Sequence, residues 1–442
     1  MKTSKPLLIA LCFLSHFTIA QTVQTARLDS LFNLLETKNK TMASVRMTRA
    51  GQVIYEKSIG YAEITDTNKK RATPDTKYRI GSITKTFTSA MIMQLVEEKK
   101  LELTTTLDKF FPTVANSGQI TIRMLLSHRS GIHNYTNDDS FWKIYTKSQT
   151  ADEMTAMVTA MKSDFKPDER TEYSNSNYVL LGWIIEKITG KSYSDNLQTR
   201  INAKLGLKNT RFAGKTDISK NDSYSYKFKD DKWTKNDETD LSLVLAAGAI
   251  IATPSDLTTF IDGLFVGKLV SAESLEQMKS VKDGMGLGLI QVPFYNMFGY
   301  GHNGGLDAFQ SGLYYFPDDK LAVTICSNGT SYAINDLAIA LLSAYYQKPF
   351  EIPNLDITGP TTAEIQSYLG TYASAQMPLK VTISEKDGNL MAQGSGQPAF
   401  PLTKSADHTF KFSQAAITII FRPQQKEFTL NQAGTDYIFK ME

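Results

Sequence analysis

Tyr78-Arg79-Ile80-Gly81-Ser82-Ile83-Thr84-Lys85-Thr86-Phe87 starts extended and turns into a helix at its Gly-Ser pair. Beyond Lys85 the apolar residues Phe87, Ala90, Met91 and Leu95 keep helical spacing, while the charged run 97–100 is left for water. A helix from Gly81 to about Lys100 is therefore predicted. Ser82 and Lys85, three apart, share one face of it. A serine at the positive end of a helix dipole, with an amine one turn away, is a candidate nucleophile–base pair. The Ser-x-x-Lys spacing is a weak signal alone, because it recurs at Ser140/Lys143 and at Ser163/Lys166. Lys166 precedes Pro167, which disfavours a continuing helix there.

Working outward, residues 26–35 have the spacing of an amphipathic helix, and 44–48 and 53–59 read as a β-hairpin around Ala50-Gly51-Gln52. Residues 107–245 read mainly as helix and polar loop. Within them 122–126 leads to Ser127-His128-Arg129-Ser130-Gly131, with Gly131 expected to end the helix, and 178–188 is a clear helix stopped by Gly190. Residues 223–240 suggest an exposed loop or small hairpin, 246–253 are small and apolar, and Pro254-Ser255-Asp256 opens a helix to Phe265. Strand patterns return at 300–302, 309–316 and 321–327, followed by an amphipathic helix over 334–346. Strands from both ends thus build one antiparallel sheet flanked by helices, with the helical middle inserted, an α+β arrangement. Residues 349–361 read as a linker. Beyond it, over 362–442, short alternating runs separated by turns indicate a small all-β barrel or sandwich without a catalytic constellation. The domain expectation is 1–20 leader, 21–348 main domain, 349–361 linker and 362–442 β domain.

With 442 residues, 41% hydrophobic and 21% charged, the composition is that of a multi-domain globular protein. A net charge of +3 without basic blocks or aromatic-interleaved basic stripes excludes nucleic acid as the expected partner. Lys2 and Lys5 precede a short apolar run ending at Thr18-Ile19-Ala20, which reads as a cleavable export signal and implies a periplasmic or secreted protein with no stable membrane anchor. Cys12 follows Leu11, not the small residue a lipidation site wants. After cleavage only Cys326 remains, in a buried-strand pattern, so no intrachain disulfide is expected.

Three further groups bear on chemistry. Tyr173-Ser174-Asn175 offers a tyrosine whose pKa a neighbouring lysine would lower, and an asparagine able to bond a substrate amide. His302-Asn303-Gly304-Gly305 offers backbone N–H groups that a carbonyl can approach, beside a histidine placed to bind a carboxylate or steady the tyrosine. His128 and His133 lack further ligands to make a metal site and read as helix-end packing and surface residues. Gly284, Gly286 and Gly288 suit a strand or loop, not a phosphate-binding turn.

The ordered set Ser-x-x-Lys, Tyr-x-Asn, His-x-Gly-Gly resembles the serine β-lactamase/penicillin-binding protein superfamily, in its class C β-lactamase-like branch with D-alanyl-D-alanine carboxypeptidases and esterases. Stretches 78–85, 125–131, 173–175, 246–248 with 253–257, and 301–305 carry the likeness, over roughly residues 26–347. The resemblance implies Ser82 as the acylated nucleophile, Lys85 as its proton acceptor, and Tyr173 as the general acid/base that aids attack and later activates water. It implies that Asn175 holds the substrate amide and that the N–H groups of Ser82 and Gly305 form an oxyanion hole beside Gly304. His302 stands where β-lactamases of this branch carry lysine, and so looks more like the carboxypeptidase and esterase members. The implied protein is an exported serine hydrolase without metal or organic cofactor. Its implied substrate is a small ester or amide, or a D-alanyl peptide of the cell wall. The alternatives are a β-lactamase and a penicillin-binding receptor that is acylated without turnover. No oligomeric state is specified.

Overall fold

Strands from opposite ends of the main region pair into one sheet. The computed structural model describes residues 23–356, 359–386, 388–412, 415, 417–432 and 435–442, so the leader read at 1–20 lies outside the described residues. Six strands, β1 (Thr41–Arg49), β2 (Gln52–Ile59), β3 (Ile290–Phe294), β4 (Met297–Leu306), β5 (Phe309–Phe316) and β6 (Leu321–Thr330), lie in the order β3-β4-β5-β6-β1-β2. All neighbours are antiparallel. Ala43 to Arg49 pair with Ser327 to Leu321, which joins the N-terminal hairpin to the C-terminal meander.

Both faces of this sheet are covered, and the side chains alternate between them. On one side Val323, Ile325, Tyr314 and Phe316 pack with helices α1 (Thr25–Thr37) and α5 (Ile334–Tyr346) through Leu28, Leu31, Leu337 and Leu341. On the other, Ala322, Cys326, Leu313 and Tyr315 join the larger core containing α2 (Thr84–Glu97), α3 (Asn175–Thr189) and α4 (Pro254–Phe265). Each fully buried large apolar side chain contributes roughly 1.5–3 kcal/mol, so two covered faces hold the sheet without a disulfide. Cys326 is one of these packing groups, its thiol pushed up to about 12 by burial.

α2 departs from the expected amphipathic helix. It is preceded by a 3-10 turn at Gly81–Ile83, stops at Glu97, and is buried on every side from Thr84 to Leu95. Its polar residues reach carbonyls inside the core: Thr86 Oγ1 bonds Gly288 O at 2.9 Å, Thr88 Oγ1 bonds Ala246 O at 2.7 Å, and Ser89 Oγ bonds Leu287 O at 2.6 Å. A central helix can be this polar because each hydroxyl finds an acceptor. The insert is helical but not wholly so. Tyr226–Lys229 and Lys232–Lys235 form the hairpin, and Arg211–Phe212 pairs with Ile250–Ala252, which also pairs with Tyr78–Arg79. The helix Ile122–Leu126 is capped at Ser127, four residues before Gly131, because His128 takes the left-handed conformation (φ +57°). Gly131 lies instead against Phe165 O.

The C-terminal part is a single nine-stranded antiparallel sheet among the described residues, not a sandwich. Its edge strands, Phe400–Pro401 and Thr403–Ala406, are separated in sequence by Leu402 alone, so the sheet curls until its edges nearly meet as a barrel. Phe410, Phe421, Phe428 and Phe439 fill the interior. A helix, Thr362–Tyr368, adds Ile365 and Tyr368 to that core. The sequence reading did not include it, although Thr361 and Glu364 form a capping box.

The contact that positions the Ser82 turn is between bare backbones. β3 pairs with β4 only as far as Gly301, and the Ile80–Ser82 turn packs against the open edge beyond. A Cβ on Gly304 would lie 2.0 Å from Ile80 O, the atom that also accepts a 2.8 Å bond from Ser311 Oγ. A Cβ on Gly81 (φ +51°) would lie 2.7 Å from Gly305 N. A Cβ on Gly305 meets nothing nearer than 4.0 Å. Gly304→Ala should therefore lower stability by about 1–3 kcal/mol and displace the serine turn, whereas Gly305→Ala should melt within about 0.5 kcal/mol of the parent. Urea denaturation of the two variants measures the difference.

Candidate active site

Burial of Lys85 decides the chemistry of the groups around it. Lys85 is wholly buried at the start of α2, and desolvation holds its amine well below the ordinary lysine range. A neutral amine has two N–H groups and one lone pair. Asn175 Oδ1 and Ala247 O, each 2.8 Å away, take the two N–H groups. The third neighbour, Ser82 Oγ, lies at hydrogen-bond distance, 3.0 Å, and is the group the lone pair of the unprotonated amine faces. The same Oγ accepts the Tyr173 hydroxyl at 2.8 Å. Two side chains, Lys85 and Tyr173, the second 91 residues from Ser82, thus converge on one oxygen.

Tyr173 differs from the sequence expectation. Burial pushes its pKa up, offset only in part by the bond to Ser82. Lys85 Nζ lies 4.9 Å from the centre of the Tyr173 ring, but a neutral amine supplies no charge to stabilise a phenolate. At rest Tyr173 is a phenol. Asn175 lines the cavity while its Oδ1 accepts from Lys85 and its Nδ2 donates to Thr136 Oγ1 at 3.0 Å. It therefore orients the lysine, and its second amide N–H and second lone pair remain for a substrate amide.

His302 lies across the cavity, its ring centre 6.2 Å from that of Tyr173. Its Nδ1 is 2.6 Å from Asn303 O, and a carbonyl only accepts, so Nδ1 carries the proton. Burial lowers its pKa to about 4, so the ring is neutral at pH 7. The expected carboxylate-binding role lacks a fixed cation here. The cavity encloses about 980 Å³ and is lined by Ser82, Tyr173, Asn175, His302, Gly304 and Gly305, with Trp142 exposed beside it. Beneath the Ser82 turn, buried Arg79 pairs with Glu238, and with Asp307 at 3.4 Å, and bonds Thr239 O at 3.0 Å, tying the 214–239 segment to the end of β4. Burial raises the Asp307 carboxyl, while Thr239 and Arg79 pull it down.

Among the other sequence candidates, the histidines separate. His133 is partly exposed and clasped by Asp164 and Asp138 at 2.8 and 3.1 Å, carboxylates the sequence reading did not place there. Among the described residues no cluster of three or more His, Cys, Asp or Glu side chains is arranged to hold a metal ion. His128 is buried at the end of the 122–126 helix and against the start of α3, and it also stacks on Tyr173. The available signal for it was its place inside the 125–131 stretch that carries part of the resemblance.

The Beta-lactamase family model matches residues 32–344, which contain every one of these groups. The chain belongs to the Beta-lactamase family. That places it in the serine β-lactamase/penicillin-binding protein superfamily of serine hydrolases. Penicillin-binding protein 4* of Bacillus subtilis (strain 168) is 25% identical over 444 residues, covering 92% of this chain and 97% of that one. The D-amino acid amidase of Ochrobactrum anthropi SV3, solved with L-phenylalanine amide, aligns at 26% identity with a TM-score of 0.64, over 73% of this chain and 99% of the amidase. The octameric penicillin-binding protein homologue from Pyrococcus abyssi, at 23% identity and TM-score 0.68, shares the fold over 94% of this chain and 99% of its own.

The buried imidazole of this family member predicts an acid sensitivity. His302 titrates near 4 in the folded chain and near 6.5 when unfolded, so between those values the unfolded chain binds the extra proton. Its contribution to stability is complete above about pH 6.5 and is lost as pH falls towards about 4, on the order of 3 kcal/mol in all. His302→Gln should flatten that limb, measured as urea-unfolding free energy at pH 7 and pH 4.5.

Proposed function

We propose that the protein is an exported serine hydrolase that forms an acyl-enzyme on Ser82 and cleaves a small ester or amide, with neutral D-amino-acid amides and esters as the favoured substrate class and D-alanyl-D-alanine peptides, which end in a carboxylate, as the less favoured one. The observation that carries this reading is Ser82 Oγ held between a neutral Lys85 amine and a protonated Tyr173 hydroxyl. Export rests on the N-terminal leader, and the division at 349–361 on the change from α+β to all-β.

In acylation, Ser82 Oγ bonds to the substrate carbonyl carbon while its proton passes to the Lys85 lone pair. The N–H groups of Ser82 and Gly305, brought together by the glycine contact between the turn and β4, receive the oxyanion. Tyr173 gives its proton to the leaving amine or alkoxide, and its phenolate is then stabilised by the new Lys85 ammonium. In deacylation the phenolate takes a proton from water, the hydroxide adds to the ester carbonyl, and Ser82 leaves with the proton returned by Lys85. Both groups end as they began. The resting phenol and amine are the states this sequence needs first.

Substrate choice is favoured by two observations. A neutral His302 provides no permanent cation for a carboxylate, which favours amides and esters over β-lactams. The amidase of Ochrobactrum anthropi SV3 is similar over the whole catalytic region. A D-amino-acid amide, a p-nitrophenyl ester, a D-Ala-D-Ala peptide and a chromogenic cephalosporin, assayed side by side with intact-mass detection, test the reading. The amide and ester should turn over at least about tenfold faster than the cephalosporin, through a transient mass adduct that Ser82→Ala abolishes. Lys85→Ala should slow acylation by about 10²–10⁴. A stable adduct without turnover identifies a receptor, fast cephalosporin loss a β-lactamase, and undiminished Ser82→Ala activity rejects the mechanism.

A further inference from the structure

We propose that His128 is the positioning residue for Tyr173, holding the phenol over Ser82 from three sides; the inference rests on the acid/base role given to Tyr173 above. Tyr173 needs such a device because it lies on a segment, 166–174, with no helix or strand of its own. Its backbone bonds must therefore be found elsewhere. His128 supplies them on both flanks: its carbonyl accepts the Glu172 N–H at 2.9 Å, and its imidazole Nδ1 accepts the Ser174 N–H at 3.1 Å. Between these two bonds its ring lies against the Tyr173 ring, centres 4.3 Å apart and planes 27° apart.

The imidazole is fixed in turn. Because Nδ1 accepts, the remaining ring proton is on Nε2, and Tyr178 packs on the ring at 5.2 Å while its own hydroxyl bonds Leu126 O at 2.8 Å. The left-handed backbone at His128 is what lets one residue turn both its carbonyl and its ring towards the same segment. Arg129 extends the hold: its carbonyl accepts the Asp168 N–H at 2.8 Å, and its guanidinium bonds Thr171 Oγ1 at 2.9 Å. No hydrogen bond among the described residues joins His128 to Ser82 or Lys85, and it does not line the cavity, so its contact with the reacting groups runs through Tyr173.

The test is a double-mutant cycle on the full chain with the best substrate of the panel. His128→Asn tolerates the left-handed backbone and keeps an acceptor at the δ position, but removes the stacking ring; His128→Phe keeps a ring and removes the acceptor. Both should lower kcat about tenfold or more with KM changed less than about twofold, because displacing a reacting group by an ångström costs up to about 10²-fold. In a Tyr173→Phe background the His128→Asn change should cost less than about twofold, since the hydroxyl it positions is already gone. An equal loss in both backgrounds overturns the inference while leaving Tyr173 its role. Full turnover in Tyr173→Phe overturns both. If His128→Asn does not fold, His128→Phe carries the same cycle, with thermal melting to establish that each variant is folded.

Discussion

Lys85 stands at the head of a helix whose residues from Thr84 to Leu95 are all buried, and there its side chain cannot keep a proton as it would in water. The price of that burial is two N–H groups needing acceptors, and the surrounding structure is arranged to supply them. Ala247 belongs to the helical turn Leu245–Gly248, packed where α2 and α3 meet, and Asn175 is the first residue of α3, itself fixed by Thr136. Once both N–H groups are satisfied, the lone pair has one direction left, and Ser82 occupies it. The nucleophile is therefore oriented by how an unrelated part of the chain solves a desolvation problem.

A second constraint works by omission. The serine turn and β4 approach until backbone meets backbone, which is possible because Gly304 and Gly81 carry no Cβ. The sheet thus acts as a rigid reference surface on which the turn rests, and Ser311 pins Ile80 O from the neighbouring strand. Loops such as 166–174 have no such surface and depend on side-chain clamps.

Much of this was legible in the sequence. The helices 334–346 and 254–265 fall where periodicity and a Pro-Ser-Asp start predict, and the first and last strand groups share a sheet as their order suggests. Ser82, Lys85, Tyr173 and His302 were legible as residues, because the chemistry that needs them fixes their types. Their states were not. Whether Tyr173 is acid or base at rest depends on how much water burial removes, and Asn175 faces Lys85 because folding brings the head of α3 against α2. These are properties of a packed interior that no local spacing encodes. The burial of α2 escaped notice because its threonines and serine look like a wet face until their acceptors, Gly288, Ala246 and Leu287, are folded against them.

The strand order has a consequence for when the site comes into being. The β1–β2 hairpin joins the C-terminal strands only through β6, some 270–290 residues later, and the Ser82 turn gains its backing only when residues 304–305 are in place. Contacts of such long range are slow to form because the intervening chain must be closed before they stabilise anything. A chain interrupted between residues 175 and 304 holds the nucleophile, its base and its acid, yet lacks the glycine strand that backs the serine turn. Assembly order is thus a safeguard: the serine turn has nothing to rest on until β4 has docked.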